Sequence, residues 1–311
     1  MKKERARAVR KRGRGPSHGA HCRTGRLPVR VAGATGLTMR TGWGSTVIAL
    51  ALVAAASPAF ATWSIVAADQ DSGRVVVASA TCADITASFL YHLQAVIVPG
   101  KGAAACQAWV DVTHQDQALI ERELARGTEP RTLIGMLKDA PAFPSRQFGI
   151  VDLEGRSAGV TGERNPAAAG DVQGRVPGTR IVYSIQGNTL RSSDVIAAAV
   201  QAFVATNGSL ADRGMAALEA GDAAGGDARC GCPPGLTVDC DDRTSSLAYI
   251  AMAERDAAPG ELALFIPVSQ AVLAEPGAEW IDVAEGDSFN PVKTLRLRYD
   301  RWRAAHANDR R

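Results

Sequence analysis

Val47-Ile-Ala-Leu-Ala-Leu-Val-Ala-Ala-Ala-Ser-Pro-Ala-Phe-Ala61 runs straight into Thr62-Trp-Ser-Ile-Val-Ala-Ala-Asp69. The first part has the apolar core of a secretion signal. It ends on Ala59-Phe60-Ala61, with small residues at the two positions a signal peptidase reads. Met39 and Arg40 supply a short positive start, so the signal is expected to span 39–61. The Arg- and Gly-rich residues 1–38 read as a disordered basic extension, or as a start assigned too far upstream. Cleavage after Ala61 would make Thr62 the first residue of the mature protein, and Thr62 opens directly into a strand. A threonine with a free α-amine holds a hydroxyl nucleophile and a nearby base in one residue. The apolar run is short for a bilayer span. Membrane contact is therefore expected only through the uncleaved signal, and the product is expected in the periplasm or the medium.

The bulk charge belongs to the leader. Residues 1–61 hold 12 of the 35 Lys and Arg residues and one of the 32 acids, Glu4. Without them 23 basic and 31 acidic residues remain, and the formal net charge moves from +3 to −8. A nucleic-acid partner has no support in such a chain. The 250 residues from Thr62 suffice for a single domain with a real core. Five of the six cysteines lie there: Cys82, Cys106, Cys230, Cys232 and Cys240. Export makes disulfides the expected state, with one thiol left over or paired outside the chain. The expected pairs are Cys82 with Cys106, near the ends of neighbouring strands, and Cys230 or Cys232 with Cys240. Cys-x-Cys followed by a third Cys lacks a fourth ligand at metal-site spacing, so no metal is expected.

The chain from Thr62 alternates between blocks of strands and blocks of helices. Strands are expected at Thr62–Asp69, Arg74–Thr81, Leu93–Val98 and Ala103–Val110, with no helix between them. Two helices follow, around Ala118–Ala125 and at Pro130–Leu137, the second with Thr128 as N-cap. A hairpin over Gln147–Asp152 and Arg156–Thr161 leads into a Gly/Ala/Pro loop, Asn165–Gly178, and a strand at Arg180–Ile185. A helix capped by Ser192 or Ser193 and a second over Leu210–Ala220, capped by Ser209, precede strands at Ser246–Ala253 and Leu262–Val268. Asn290-Pro291 opens a last helix with Val292, Leu295, Tyr299 and Trp302 on one face. Segregated blocks of this kind indicate an α+β layered sandwich rather than a doubly wound parallel sheet.

Several stretches resemble the bacterial and archaeal domain-of-unknown-function family 1028. They are Thr62-Trp-Ser-Ile-Val-Ala, Val77-Ala-Ser79, Gln147-Phe-Gly-Ile-Val-Asp152, Thr161-Gly162, Tyr183-Ser-Ile-Gln-Gly-Asn188 and Gly225-Gly-Asp227. The resemblance runs from Thr62 to about Trp302. It implies an N-terminal-nucleophile (Ntn) hydrolase fold, a four-layer αββα sandwich. In members without a signal, removal of the initiator Met would expose a Thr; here signal cleavage would. The segment Arg229-Cys-Gly-Cys-Pro-Pro-Gly-Leu-Thr-Val-Asp-Cys240 departs from the short Arg-containing link of many relatives.

The expected function is exported hydrolysis of a small amide, ester or peptide bond by Thr62. The alternative is a catalytically silent binding protein of the same fold, and a third reading is an enzyme that uses a mature cysteine. For the oxyanion, Gln186-Gly187-Asn188 could supply donors, or be an ordinary turn. Asp227 could hold the α-ammonium or a substrate amine, and Arg229 a substrate carboxylate, or both could lie in a solvated loop. Ser79 could bond to Thr62 or to backbone. Lys101 matches no tuning role, and His114 reads as a surface residue where a helix begins. No cofactor is called for, the partner is the amide substrate, and a homo-oligomer is compatible with the chain.

Overall fold

The computed structural model describes residues 62–166, 168–231, 242–269 and 286–306. The expectations for 1–38 and 39–61, and for Cys232 and Cys240, fall outside the described residues.

Among the described residues, ten strands fall into two antiparallel sheets. In chain order they are β1 (Thr62–Asp69), β2 (Val75–Thr81), β3 (Ala95–Val98), β4 (Gly102–Ala108), β5 (Arg146–Asp152), β6 (Ser157–Thr161), β7 (Gly170–Arg175), β8 (Ile181–Asn188), β9 (Leu247–Ala253) and β10 (Leu264–Ser269). The larger sheet has the order β10-β9-β2-β1-β8-β7, so β1 lies in its middle; the smaller has β3-β4-β5-β6. The helices are α1 (Ala87–Gln94), α2 (Gln115–Arg126), α3 (Pro130–Leu137), α4 (Asp194–Ala205), α5 (Leu210–Ala223) and α6 (Pro291–Ala305).

Strand parity builds the layers. On β1, Trp63, Ile65 and Ala67 join Val195, Phe203, Met215, Leu218, Leu295 and Tyr299 of α4, α5 and α6 in one core. The alternate residues Val66 and Ala68 face the smaller sheet, packing with Val75, Val77, Ala103, Ala105, Val151 and Tyr249. On that sheet's other face Ala104, Cys106, Phe148 and Ile150 meet Ile120 and Leu124 of α2 and Leu133 and Leu137 of α3. The result is an α+β sandwich of four layers, αββα. Gly221 on α5 makes room for Trp63, because a Cβ there would lie 2.7 Å from the indole nitrogen. Arg213, buried on the same helix, donates to the carbonyls of Phe203 and Val204 at 2.9 and 3.1 Å and so closes the C-terminal end of α4.

Three expectations about elements change. The first four strands are interrupted by α1, because Thr86 caps it by accepting from the Phe89 N–H and its buried residues Ala87, Leu90, Leu93 and Gln94 follow helical spacing. The expected loop Asn165–Gly178 contains β7, an edge strand that needs only one partner, β8. The N-cap of α3 is Glu129, while the Thr128 hydroxyl donates back to Glu123.

The expected Cys82–Cys106 bond does not form. Cys106 points outward from β4 into the α2–α3 core, whereas Cys82 directly follows β2 of the other sheet, so the layer between the sheets separates them. Cys82 is bonded to Cys230 instead, and Cys106 is a buried free thiol.

Candidate functional site

At the Thr62 end the interface between the sheets turns from apolar to polar. The same parity that sends Val66 and Ala68 inward sends Thr62 and Ser64 inward, and both are fully buried. Thr62 lies opposite Thr81 on one side and Asn188 on the other, forming one row across three strands. The Thr62 hydroxyl donates to the Thr81 hydroxyl at 3.3 Å. The next inward row is Ser79, Ser64 and Gln186.

Glutamines from the smaller sheet reach across to these rows. Gln107 on β4 donates from Nε2 to the Thr62 carbonyl oxygen at 3.3 Å and to Gln147 Oε1 at 2.7 Å. Its own Oε1 accepts from the Ser64 hydroxyl at 2.6 Å and from Gln94 Nε2 at 2.9 Å. Gln147 on β5 donates to the Gly187 carbonyl at 2.9 Å, and its Oε1 also accepts from Asn188 Nδ2 at 3.3 Å. Gln186 donates to Ser64 Oγ at 2.6 Å and accepts from Ser184 at 2.9 Å. Buried amides and hydroxyls are tolerated because they satisfy one another. Gly149 is part of the design: a Cβ there would strike Gln186 Oε1 and come within 2.7 Å of Ser184 Oγ.

The structure sorts the sequence candidates. Gln186-Gly187-Asn188 is not a turn: all three continue β8, Gln186 and Gly187 between β1 and β7, and Asn188 paired with Thr62 of β1. Gln186 is committed to Ser64 and Ser184, while Asn188 stands beside Thr62. The Ser79 hydroxyl bonds to backbone, donating to the Trp63 carbonyl at 3.2 Å. Lys101 is exposed in the β3–β4 turn, and His114 is exposed in a left-handed conformation before α2.

Asp227 and Arg229 come to the same end of the sheet, the carboxylate buried and Arg229 partly in solvent. Asp227 is fully buried, accepting from the Cys82 N–H at 2.6 Å, next in sequence to Thr81. Arg229 grips its carboxylate with two donors, Nε at 3.1 Å to one oxygen and a terminal nitrogen at 2.9 Å to the other. Burial pushes the Asp227 carboxyl up from its ordinary value, against the opposing pull of Arg229. Leu190 bridges to Asp227 and the Ala228 N–H donates to the Thr189 carbonyl, so the loop is stitched to the end of β8. The Cys82–Cys230 bond stitches it to the end of β2. Thus Asp227 and Arg229 hold each other in this state.

Gln107, Gln94, Tyr249 and Thr81 were absent from the sequence candidates. For Gln107 a signal was present: it is a lone amide following Ala103-Ala-Ala-Cys106, at the same parity as Ala103 and Ala105. Two cavities lie away from Thr62. One of about 170 Å³ is lined by Arg74, Ser209, Met252, Glu254, Trp302 and His306. The other is an open alanine-lined groove between α4 and α5.

The model of a family of unknown function, DUF1028, matches residues 62–255. The crystal structure of protein SPO2555 from Silicibacter pomeroyi, of the same family, superposes with a TM-score of 0.57 at 21% identity, covering 78% of this chain and 89% of that one. At that identity the likeness is one of fold. No curated protein matches the chain.

Proposed function

We propose, from the premise that the chain belongs to the DUF1028 family, that it is an exported N-terminal-nucleophile hydrolase of small amide, ester or peptide bonds. One observation carries this reading. Thr62, the residue that signal cleavage would leave first, begins the central strand with its hydroxyl in a row between Thr81 and Asn188.

The mechanism follows from the groups present. Thr62 Oγ attacks the substrate carbonyl carbon, and its proton passes to the Thr62 α-amine, directly or through a water. That amine has an ordinary pKa of about 7.7–8.0, so a useful fraction is neutral near pH 7. Asn188 Nδ2, on the residue paired with Thr62, is the side-chain donor for the oxyanion. As the C–N or C–O bond breaks, the proton moves to the leaving group and an ester on Thr62 remains. Water attacks this ester, the acid leaves, and the Thr62 hydroxyl is restored. Before cleavage the Thr62 nitrogen is an amide to Ala61 and has no basic lone pair, so the precursor is inactive.

The test begins with intact mass and N-terminal sequencing of the exported protein. A free Thr62 is expected, followed by turnover in an amide library that Thr62→Ala abolishes. Any other N-terminus removes the base and sinks the reading. The second reading, a silent binding protein, is favoured by the cavity beside Trp302 and Arg74, which lies away from Thr62. It predicts ligand binding that Thr62→Ala leaves intact.

A further inference from the structure

We propose that Gln107 is a positioning residue for Thr62, and that Tyr249 supports its orientation through Gln94. This deepens the hydrolase reading and rests on it.

Cleavage would change what holds Thr62. A residue inside a chain is fixed from both sides, whereas a terminal one is free to swing and fray. After the cut, Thr62 is held by its strand neighbours and by the group that grips its carbonyl. The Gln107 amide supplies that grip from the opposite sheet, at 3.3 Å. Fixing the carbonyl limits rotation about the Thr62 Cα–C bond, and with it the swing of the residue that carries both the hydroxyl and the α-amine. Effective catalysis depends on such restraint, because small misplacements of a nucleophile lower rates steeply.

The amide of Gln107 has a sense, and the network dictates it. Oxygen and nitrogen of a glutamine amide are told apart only by their partners. Tyr249 Oη donates to Gln94 Oε1 at 2.7 Å. Gln94 must therefore present its Nε2, which donates to Gln107 Oε1. Ser64 reinforces the same sense, since its oxygen accepts from Gln186 and its proton goes to Gln107 Oε1. Gln107 is left to offer Nε2 to Thr62 and Gln147. The Gln147 oxygen so engaged is also the one that receives Asn188 Nδ2. The Tyr249 phenol at one end and the Gly170 and Gly187 carbonyls at the other, acting through Gln147, thus agree on which way the amides beside Thr62 point. Burial raises the Tyr249 phenol well above its ordinary pKa, which keeps it a donor. Without it, Gln94 can turn over and present oxygen to Gln107. Gln107, held in its sense by Gln147 and the Thr62 carbonyl, would then meet Gln94 oxygen to oxygen, and its grip on Thr62 would loosen.

The test uses the exported, cleaved protein and a β-lactone as electrophile. Thr62 Oγ attacks the lactone carbonyl, the ring C–O bond opens, and the hydroxyl proton ends on the released alkoxide. The adduct carries the whole lactone mass, and intact-mass kinetics read its formation. Tyr249→Phe removes one oxygen, distant in the network from Thr62. It is expected to slow acylation at least fivefold and to move the midpoint of the pH–rate profile, while the protein stays folded at the assay temperature. Gln107→Leu is expected to slow it further, and Gln107→Glu to recover little, because a carboxylate cannot donate to the carbonyl. If both Tyr249→Phe and Gln107→Leu acylate at the wild-type rate with the wild-type profile, the assignment is wrong although the hydrolase reading stands. If the wild-type protein with a free Thr62 is not acylated there, the hydrolase reading fails and the assignment falls with it. Should Gln107→Leu not fold, Tyr249→Phe alone decides.

Discussion

Thr62 on β1 and Asn188 on β8 are direct partners in the antiparallel register, and both point into the layer between the sheets. The closeness of strand partners makes Asn188 the amide that a substrate held at Thr62 would meet. Thr62→Ala is therefore expected to abolish turnover, and Thr62→Ser to keep part of it. Asn188→Ala should lower kcat by about 100- to 1000-fold, the usual effect of losing one oxyanion donor. Steady-state kinetics on an amide found by library screening would check all three. An unchanged kcat in Asn188→Ala would move the oxyanion role elsewhere.

The Cys82–Cys230 bond closes a loop with a sequence separation of 148. Removing both sulfurs as Cys82→Ser with Cys230→Ser should lower stability by roughly 2–5 kcal/mol. The urea midpoint would show it, compared under non-reducing conditions. Asp227, which accepts from the Cys82 N–H, should lose hydrogen-exchange protection around it in the same variant.

Burial pushes the Cys106 thiol up to about 12, outweighing the lowering influence of Arg146. The native thiol should resist iodoacetamide at pH 8 and react once urea unfolds the chain, as peptide mapping would reveal. The linkage has a definite sign. Between the unfolded value near 9 and the folded value near 12, the folded state holds the proton that the unfolded state has lost. The thiol's contribution is complete below pH 9 and is lost as pH rises toward 12, by about 1.4 kcal/mol per pH unit. The difference in stability between wild type and Cys106→Ala, measured from pH 8 upward, isolates it.

Gly149→Ala puts a methyl against Gln186 Oε1 and Ser184 Oγ. Both atoms are buried and already bonded to each other, so neither can step aside cheaply. A loss of about 1–3 kcal/mol is expected from overpacking. Thermal unfolding would detect it. An unchanged midpoint would mean that the Gln186 side chain relocates freely.

Ser209 starts α5 with a capping box: its hydroxyl accepts from the Asp212 N–H while the Asp212 carboxylate accepts from the Ser209 N–H. Ser209→Ala should cost about 1 kcal/mol. Burial pushes the Asp212 carboxyl up, yet Ser209, Tyr299 and Arg303 together hold it below its ordinary value. Its contribution is present above the unfolded pKa and fades as pH falls through the folded one. The deficit of Ser209→Ala should therefore shrink in strongly acidic urea titrations.

The sequence was most legible where one short pattern governs one element. Pro130 opens α3 and Ser209 caps α5 where their residue types say. Thr62–Asp69 is the strand that its residues indicate. Reading failed where tertiary context decides. Leu93 and Gln94 look like the start of a strand, but Thr86 caps a helix through them. Gly170–Arg175 has poor strand composition and pairs because the β8 edge is there. The disulfide was misassigned because proximity in predicted strand order says nothing about which face each cysteine occupies. For the candidate site, local motifs point to Thr62 and Asn188, which the register places side by side. Gln107 and Tyr249 act across a gap between sheets, and their role is visible only once the register is known.

The strand order of the larger sheet has a consequence for how such a chain is made. β2 lies between β1, its neighbour in sequence, and β9, which is not synthesised until Leu247. Until then Val75-Val-Val-Ala-Ser-Ala-Thr81 has an open edge, and all seven of its residues are destined for burial. An exposed, apolar, unpaired strand is a template for joining other chains. Pairings of this span also make folding slow. A nascent chain that began to fold early would display that edge throughout the synthesis of its second half, so delaying compaction until the last strands exist is the safer course for it.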